Sequence, residues 1–230
     1  MPEFLFMLTK DDSTVPDCLE IYDSVRDTDL RWVGFKDIGV PIETLRELTR
    51  RIHEDHRKVV LEIVSIDEAS ELQSLRAGIE LKVDLLMGGT RPEAAVPLLE
   101  GKSIQYFPFP GRIVGHPSVL EGTLDEIAAS AEHLTSHVGV DGLDLLAYRW
   151  GGDVPALISA VVAAARGPIV VAGSIVGEEQ INVVANAGAW GFTIGGAVFD
   201  RVLVPNGSVR DQVDFALRLA EAAGESLVAK

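Results

Sequence analysis

The sequence predicts an α/β protein built as one (β/α)₈ barrel domain over residues 1–230. Three observations predict it. Short β-branched or aromatic runs alternate with segments of helical spacing, the pattern of parallel βαβ units. Eight such rounds fit along the chain. No linker or low-complexity segment interrupts them, and 230 residues is a compact length for a barrel that typically takes ~250. An open doubly wound sheet is the alternative, but such sheets more often have about five or six strands and no reason to repeat the unit so evenly.

Taken in order, the expected strands are Phe4–Leu8, Trp32–Ile38, Val59–Val64, Leu85–Met87, Ile104–Phe107, Gly142–Ala147, Ile169–Ala172 and Phe192–Ile194. Each ends in a polar or Gly-rich turn. Helix starts follow. Pro41 and Pro155 stand where a first helical turn tolerates proline, and Thr123 with Glu126 has the spacing of a capping box. Behind these starts, apolar residues share one helix face: Leu45, Leu48 and Ile52; Ile127, Ala131 and Leu134; Val213, Leu217 and Ala220.

Composition narrows the function classes. Apolar residues make up 47% of the chain, ample for a core, yet no run approaches the ~18 that would suggest a membrane span. The run Phe4 to Leu8 is too short for a signal-peptide core and lacks a basic leader, so it reads as the first strand. Cys18 is the only cysteine, which rules out an internal disulfide and Cys-rich metal sites and fits a cytoplasmic protein. A net charge of −15 with no basic patch argues against a nucleic-acid partner, and no membrane partner is expected. Barrels of this size often pair, which leaves a homodimer open.

In these barrels the catalytic groups lie at the C-terminal ends of the strands. The ends nominate Lys10 and Asp11, Lys36 and Asp37, Glu62, Gln105, Asp144, Tyr148 and Arg149. Strand alternation sharpens the choice. With Val33 and Phe35 facing the helices, Lys36 turns inward; with Leu61 and Ile63 facing them, Glu62 does too. The two strands should be neighbours, so Lys36 and Glu62 could meet inside the barrel. The same parity turns Gln105, Asp144 and Tyr148 inward. A buried ion pair could merely plug the barrel, but charges are costly to bury and an apolar pair of similar volume is often as stable, which favours a functional reading. Asp144 could equally be a hydrogen-bonded core acid, and Asp37 a helix cap. The candidate catalytic set is Lys36, Glu62, Asp37 and Asp144.

Two Gly-rich turns close the chain's last strands. Pro168 to Gln180 reads as strand, Gly-Ser turn, helix; Trp190 to Asp200 reads as strand, double glycine, short helix, with a further helix from about Ser208. Gly173, Gly195 and Gly196 lack a Cβ, so backbone N–H groups can approach an anion closely. Helix N-termini add unpaired donors and partial positive charge, and Ser174 can add a hydroxyl. No basic side chain is required. Tight turns alone would also use these glycines, but their pairing on the last two strands favours phosphate. AGSI at 172–175 followed by GFTIGGAVF at 191–199 resembles the closing signature of the ribulose-phosphate-binding, or phosphate-binding TIM, barrels. The motif covers about 30 residues of the 230, the strand count extending it loosely to the whole chain. The resemblance implies a (β/α)₈ TIM barrel holding a phosphate at Gly173, Ser174, Gly195 and Gly196. It names a superfamily and no reaction. The Asp-x-Lys-x-x-Asp strand motif of the sugar-phosphate decarboxylases and the metal-binding set of the pentulose-phosphate epimerases are not found, so neither reaction is supported.

The irregular stretch 108–122 follows the fifth strand, where Arg112 and His116 could meet an anionic substrate. Lys10, Tyr148 and Arg149 join them as candidate substrate-binding residues. His53, His56, His133 and His137 read as solvated helix residues; the spacing of the last two would suit a metal, but the sequence shows no further ligand. Three functions remain open. The first is an enzyme on a small phosphorylated carbonyl or sugar-like metabolite, of aldolase/lyase or isomerase type, with Lys36 as Schiff base or cation. The second is a synthase or transferase needing Mg²⁺ at acids such as Asp11 and Asp37. The third is a non-catalytic barrel that binds a phosphorylated metabolite. No other cofactor is expected.

Overall fold

The computed structural model of the protein describes residues 1–65 and 67–228. Eight parallel strands form one sheet: β1 (Glu3–Met7), β2 (Trp32–Phe35), β3 (Lys58–Ile63), β4 (Leu85–Gly88), β5 (Gln105–Phe107), β6 (Leu143–Leu145), β7 (Ile169–Val171) and β8 (Gly191–Ile194). Their order is β6-β7-β8-β1-β2-β3-β4-β5, so each strand lies beside its neighbour in sequence and the sheet curls into a barrel. The ladder is interrupted between β5 and β6. Two backbone bonds cross that seam: Asp141 N donates to Tyr106 O at 3.0 Å, and Asp144 N to Pro108 O at 3.1 Å.

The helices surround the strands in alternation: α1 (Cys18–Val25), α2 (Ile42–Glu54), α3 (Glu68–Leu81), α4 (Pro92–Leu99), α5 (Leu124–Ser136), α6 (Val154–Ala164), α7 (Glu178–Asn186), α8 (Gly196–Phe199) and α9 (Val209–Val228). Their inner faces are the expected ones. Leu45, Leu48 and Ile52 of α2 and Ile127, Ala131 and Leu134 of α5 are buried. On α9 Val213 and Ala220 are buried, while Ala216 and Ala223 take inner positions and Leu217 is only half-buried. The capping box forms: Thr123 accepts from Glu126 N, and the Glu126 carboxylate accepts from Thr123 N. Pro155 opens α6, and Pro41 is the residue just before α2. No described helix is long and apolar enough to cross a membrane.

Inside the barrel, Gly34 makes room for a larger neighbour: a Cβ there would fall 2.2 Å from Met7 Sδ. At the N-terminal ends of β2 and β8, Trp190 packs edge-on against Trp32, and also meets Phe107 edge-on.

Three details differ from the sequence expectation. β2 stops at Phe35 because the Thr14 hydroxyl takes over both backbone groups of Lys36, accepting from its N at 2.9 Å and donating to its O at 2.7 Å. β6 stops at Leu145, and Ala147–Arg149 winds into a 3₁₀ turn. Strand parity no longer applies there, so Tyr148 does not point into the barrel; its hydroxyl donates to Gln180 O of α7 at 3.3 Å. Gln105 is exposed, at the opposite end of β5 from the strand termini that carry the site, in register with Leu85.

Two small hairpins stand on the C-terminal face. Thr9–Lys10 pairs with Ser13–Thr14 through Asp11 and Asp12, both left-handed at φ 50° and 56°. This is the two-residue turn that asparagine, aspartate and glycine favour. Arg112–Val114 pairs with Val119–Glu121, giving order to the stretch read as an irregular loop.

Candidate active site

The C-terminal mouth of the barrel holds a cavity of about 570 Å³. Its walls come from opposite kinds of structure. One side is made of charged side chains from β1, β2, β3 and β6; the other is made of backbone turns after β7 and β8.

On the charged side, Phe35 pairs with Leu61, so the next position sets Lys36 abreast of Glu62. Lys36 Nζ lies 3.5 Å from Glu62 Oε2, and both residues are buried. The expected pairing is therefore present, but it is the weaker of two. Lys36 Nζ is 2.7 Å from Asp12 Oδ1. Asp12 also takes both terminal nitrogens of Arg149, at 3.1 Å each, and the backbone N of Ser118 at 3.1 Å. It is the hub of the cluster. Burial works against its charge, but Arg149 and Lys36 outweigh burial and hold the carboxyl below the ordinary carboxylate range. The β1 hairpin places it: the left-handed turn bends the chain back, and Thr14 clips the hairpin onto the end of β2 directly beside Lys36.

Asp144 of β6 is fully buried, and among the described residues neither carboxylate oxygen has a hydrogen-bond partner. Burial first, then the nearby charge of Glu62, push its carboxyl well above the usual range; Lys36 and Arg149 offset this only in part. Asp144 does not line the cavity.

On the backbone side, Gly173, Ser174, Gly195 and Gly196 all line the cavity. Gly173 and Ser174 are both left-handed, at φ 80° and 59°. The side chain of Gln180 braces that turn, accepting from Val176 N at 2.6 Å and donating to Ser174 O at 3.3 Å. Gly195 brings β8 against β1: a Cβ there would stand 2.6 Å from Thr9 O. Gly196 starts α8, with open space where a Cβ would be. The exposed Lys10 lines the same cavity and reaches across its rim to Asp200 at 2.5 Å.

The remaining candidates lie elsewhere. Arg112 is exposed and pairs with Glu121 across its hairpin, and His116 is exposed at that hairpin's tip; neither lines the cavity, because pairing of the strands turns them to solvent. Asp37 is half-buried beyond the end of β2 and does not line the cavity either. Tyr148 is held by α7, as described. Of the five expected substrate contacts, Lys10 and Arg149 reach the cavity. Sequence reading missed Asp12, Ser118 and Thr193, which also line it. The doubled aspartate at 11–12, a two-residue hairpin signal, was the available sign for the first.

No known family matches the chain by sequence, and no curated protein does. Solved structures do match. The chain is similar to the Amycolatopsis orientalis BexX/CysO complex, with TM-score 0.65 and 18% identity over 100% of this chain and 92% of that one. It is similar to thiamine phosphate pyrophosphorylase from Pyrococcus furiosus, with TM-score 0.62 and 13% identity over 96% of each chain. It is also similar to N-acetylmannosamine-6-phosphate 2-epimerase from Clostridium perfringens, with TM-score 0.63 and 10% identity over 88% of each. At these identities the likeness establishes the fold alone, an α/β TIM barrel of eight parallel strands.

Proposed function

We propose that the chain is an enzyme acting on a small phosphorylated carbonyl or sugar-like metabolite, of aldolase/lyase or isomerase type, with Lys36 as its central group. One observation carries this reading. A buried lysine flanked by two carboxylates and a pair of glycine turns built for an anion share one cavity of about 570 Å³. That volume suits a small metabolite.

The roles follow from chemistry. The turns at Gly173–Ser174 and Gly195–Gly196 hold the phosphate through backbone N–H groups. This anchors the carbonyl end of the substrate over Lys36. Two carboxylates against Nζ suit an ammonium, which would stabilise the oxyanion of an enolate intermediate as it forms. Glu62, beside Nζ and open to the cavity, is placed to move the proton between substrate carbons. Asp12 and Arg149 hold Lys36 in position. Asp144, whose carboxyl is pushed well above the usual range by burial and then by the charge of Glu62, would keep a second negative charge out of the barrel interior. A Mg²⁺-dependent transferase has less support, because of its two expected ligands Asp11 lines the cavity but Asp37 does not.

The test is a panel of phosphorylated aldehydes and ketones in D₂O, followed by NMR for turnover or for deuterium uptake next to the carbonyl. Native protein should act on at least one member, and Lys36→Ala should abolish that action while phosphate binding persists. Turnover unchanged by Lys36→Ala would falsify the reading. Borohydride trapping then separates the two chemistries: a mass adduct on Lys36 marks a Schiff base, and its absence during turnover marks the ammonium route.

A further inference from the structure

The sequence offers His133 and His137 as two histidines at metal-compatible spacing without a third ligand. The structure supplies one. His133 lies in the last turn of α5, and His137 is the residue that ends it. Their Nε2 atoms are 3.2 Å apart, and the rings stand at 90° with centroids 4.7 Å apart. Glu93, in the first turn of α4, brings a carboxylate oxygen to the same place. The three ligand atoms all lie within 4.8 Å of one another. Packing holds the two helices in this relation: Val96 of α4 occupies the space beside Gly139, where a Cβ would come within 2.6 Å of it. None of the three ligands lines the cavity.

Two accounts of the histidine pair compete. One ring could donate a hydrogen bond to the other. Alternatively, both lone pairs could face a common cation. Two ligands each about 2.0–2.1 Å from a tetrahedral ion stand ~3.3 Å apart, close to the observed spacing. The carboxylate favours the second account, since it brings a third, anionic ligand atom within 4.8 Å of both nitrogens. Two imidazoles and one carboxylate, with a further position for water, make an open four-coordinate set. Imidazole nitrogen selects borderline transition ions over Mg²⁺ or Ca²⁺.

We propose that Glu93, His133 and His137 form a site for a divalent transition metal of the Zn²⁺ class, which clamps α4 to the end of α5. Its place in the fold gives the clamp a use. α4 leads into β5, and α5 leads out to β6. These are the strands that flank the interrupted seam, where two backbone bonds cross. A metal at this point ties the two sides of the seam together through the helix layer.

The experiment uses the full chain. ZnCl₂ is titrated against a chromophoric chelator, metal content is measured after gel filtration, and melting is followed with ZnCl₂ or MgCl₂. One Zn²⁺ per chain is expected, with a rise in Tm under Zn²⁺ and none under Mg²⁺. CoCl₂ should give the intense visible absorption of a four-coordinate site. His133→Ala and Glu93→Gln should each weaken Zn²⁺ binding by at least about tenfold. Both residues are exposed, so neither change removes packing; should His133→Ala fail to fold, Glu93→Gln, which keeps the side chain's size, carries the test. Absence of stoichiometric Zn²⁺ uptake overturns the proposal, as does uptake that both variants leave unchanged. Bound Zn²⁺ that leaves Tm unmoved overturns the clamp.

Discussion

The two walls of the cavity solve the same problem by opposite means. Over β1, β2, β3 and β6, charged side chains are buried and therefore must balance one another: Asp12 and Glu62 face Lys36 and Arg149, and Asp144, left without a partner, is pushed toward its neutral form. Over β7 and β8 no charged side chain is needed, because turns made of glycine expose the backbone itself. A charge-built wall is costly to disturb, since removing one member strands another in a medium of low dielectric. A backbone-built wall is sensitive to shape instead. The difference predicts where each kind of substitution will hurt.

The largest effect should come from the hub. Asp12→Ala removes the carboxylate that Lys36 and Arg149 share, leaving the buried Lys36 only the more distant Glu62 at 3.5 Å, and should cost about 3–5 kcal/mol in chemical denaturation. It should also abolish any activity that depends on Lys36. Stability no lower than about 1 kcal/mol below native would mean that the cluster is better solvated than its burial implies.

The backbone wall predicts a contrast between neighbouring glycines. Gly195→Val drives a side chain into the Thr9 carbonyl and should destabilise by about 1–3 kcal/mol. Gly196→Val meets open space in the fold and should leave stability within about 0.5 kcal/mol of native. It would nevertheless fill the space where the proposed phosphate would sit, and calorimetry with inorganic phosphate should show affinity about tenfold lower. Equal phosphate affinity in Gly196→Val and native protein would remove the grip from this wall.

Asp144 gives a smaller, pH-dependent effect. Its carboxyl is raised in the folded chain above its unfolded value of 3.8. Its contribution is therefore fully present below about pH 4 and is lost as pH rises, with a limiting slope of about 1.4 kcal/mol per pH unit. Asp144→Asn has no proton to lose. Its Tm should match the native value near pH 4 and exceed it increasingly toward pH 7. A constant Tm difference across that range would show that Asp144 finds a partner for its charge. The smallest effect belongs to Lys10, which is exposed: Lys10→Ala should leave Tm unchanged while making phosphate binding less sensitive to salt.

How far the sequence revealed these walls depended on how local the cause was. The glycine wall was legible because a residue without a Cβ announces its backbone conformation. Lys36 and Glu62 were legible because parity holds along a regular strand. Tyr148 failed for the same reason inverted: β6 ends at Leu145, and beyond a strand's last residue alternation carries no information. Arg112 and His116 failed because a loop of fifteen residues hid a hairpin that turns them outward. Asp12 escaped because its role depends on contacts with Lys36, Ser118 and Arg149, none of them near it in the chain. Glu93 escaped in the same way, since its meeting with His133 and His137 is created by helix packing.

The reach of Asp12 has a consequence for how the protein assembles. Its partners are 24, 106 and 137 residues further along. Loops of that length close late, after local helices and neighbouring strands have formed. The cavity's charge balance is thus completed only when the chain from β1 to the end of β6 is in place. Until then Lys36 and Arg149 remain hydrated and the barrel mouth is unsealed. During refolding, helical content should therefore recover before ligand binding does, and the interval between them measures the closing of this one carboxylate onto its three partners.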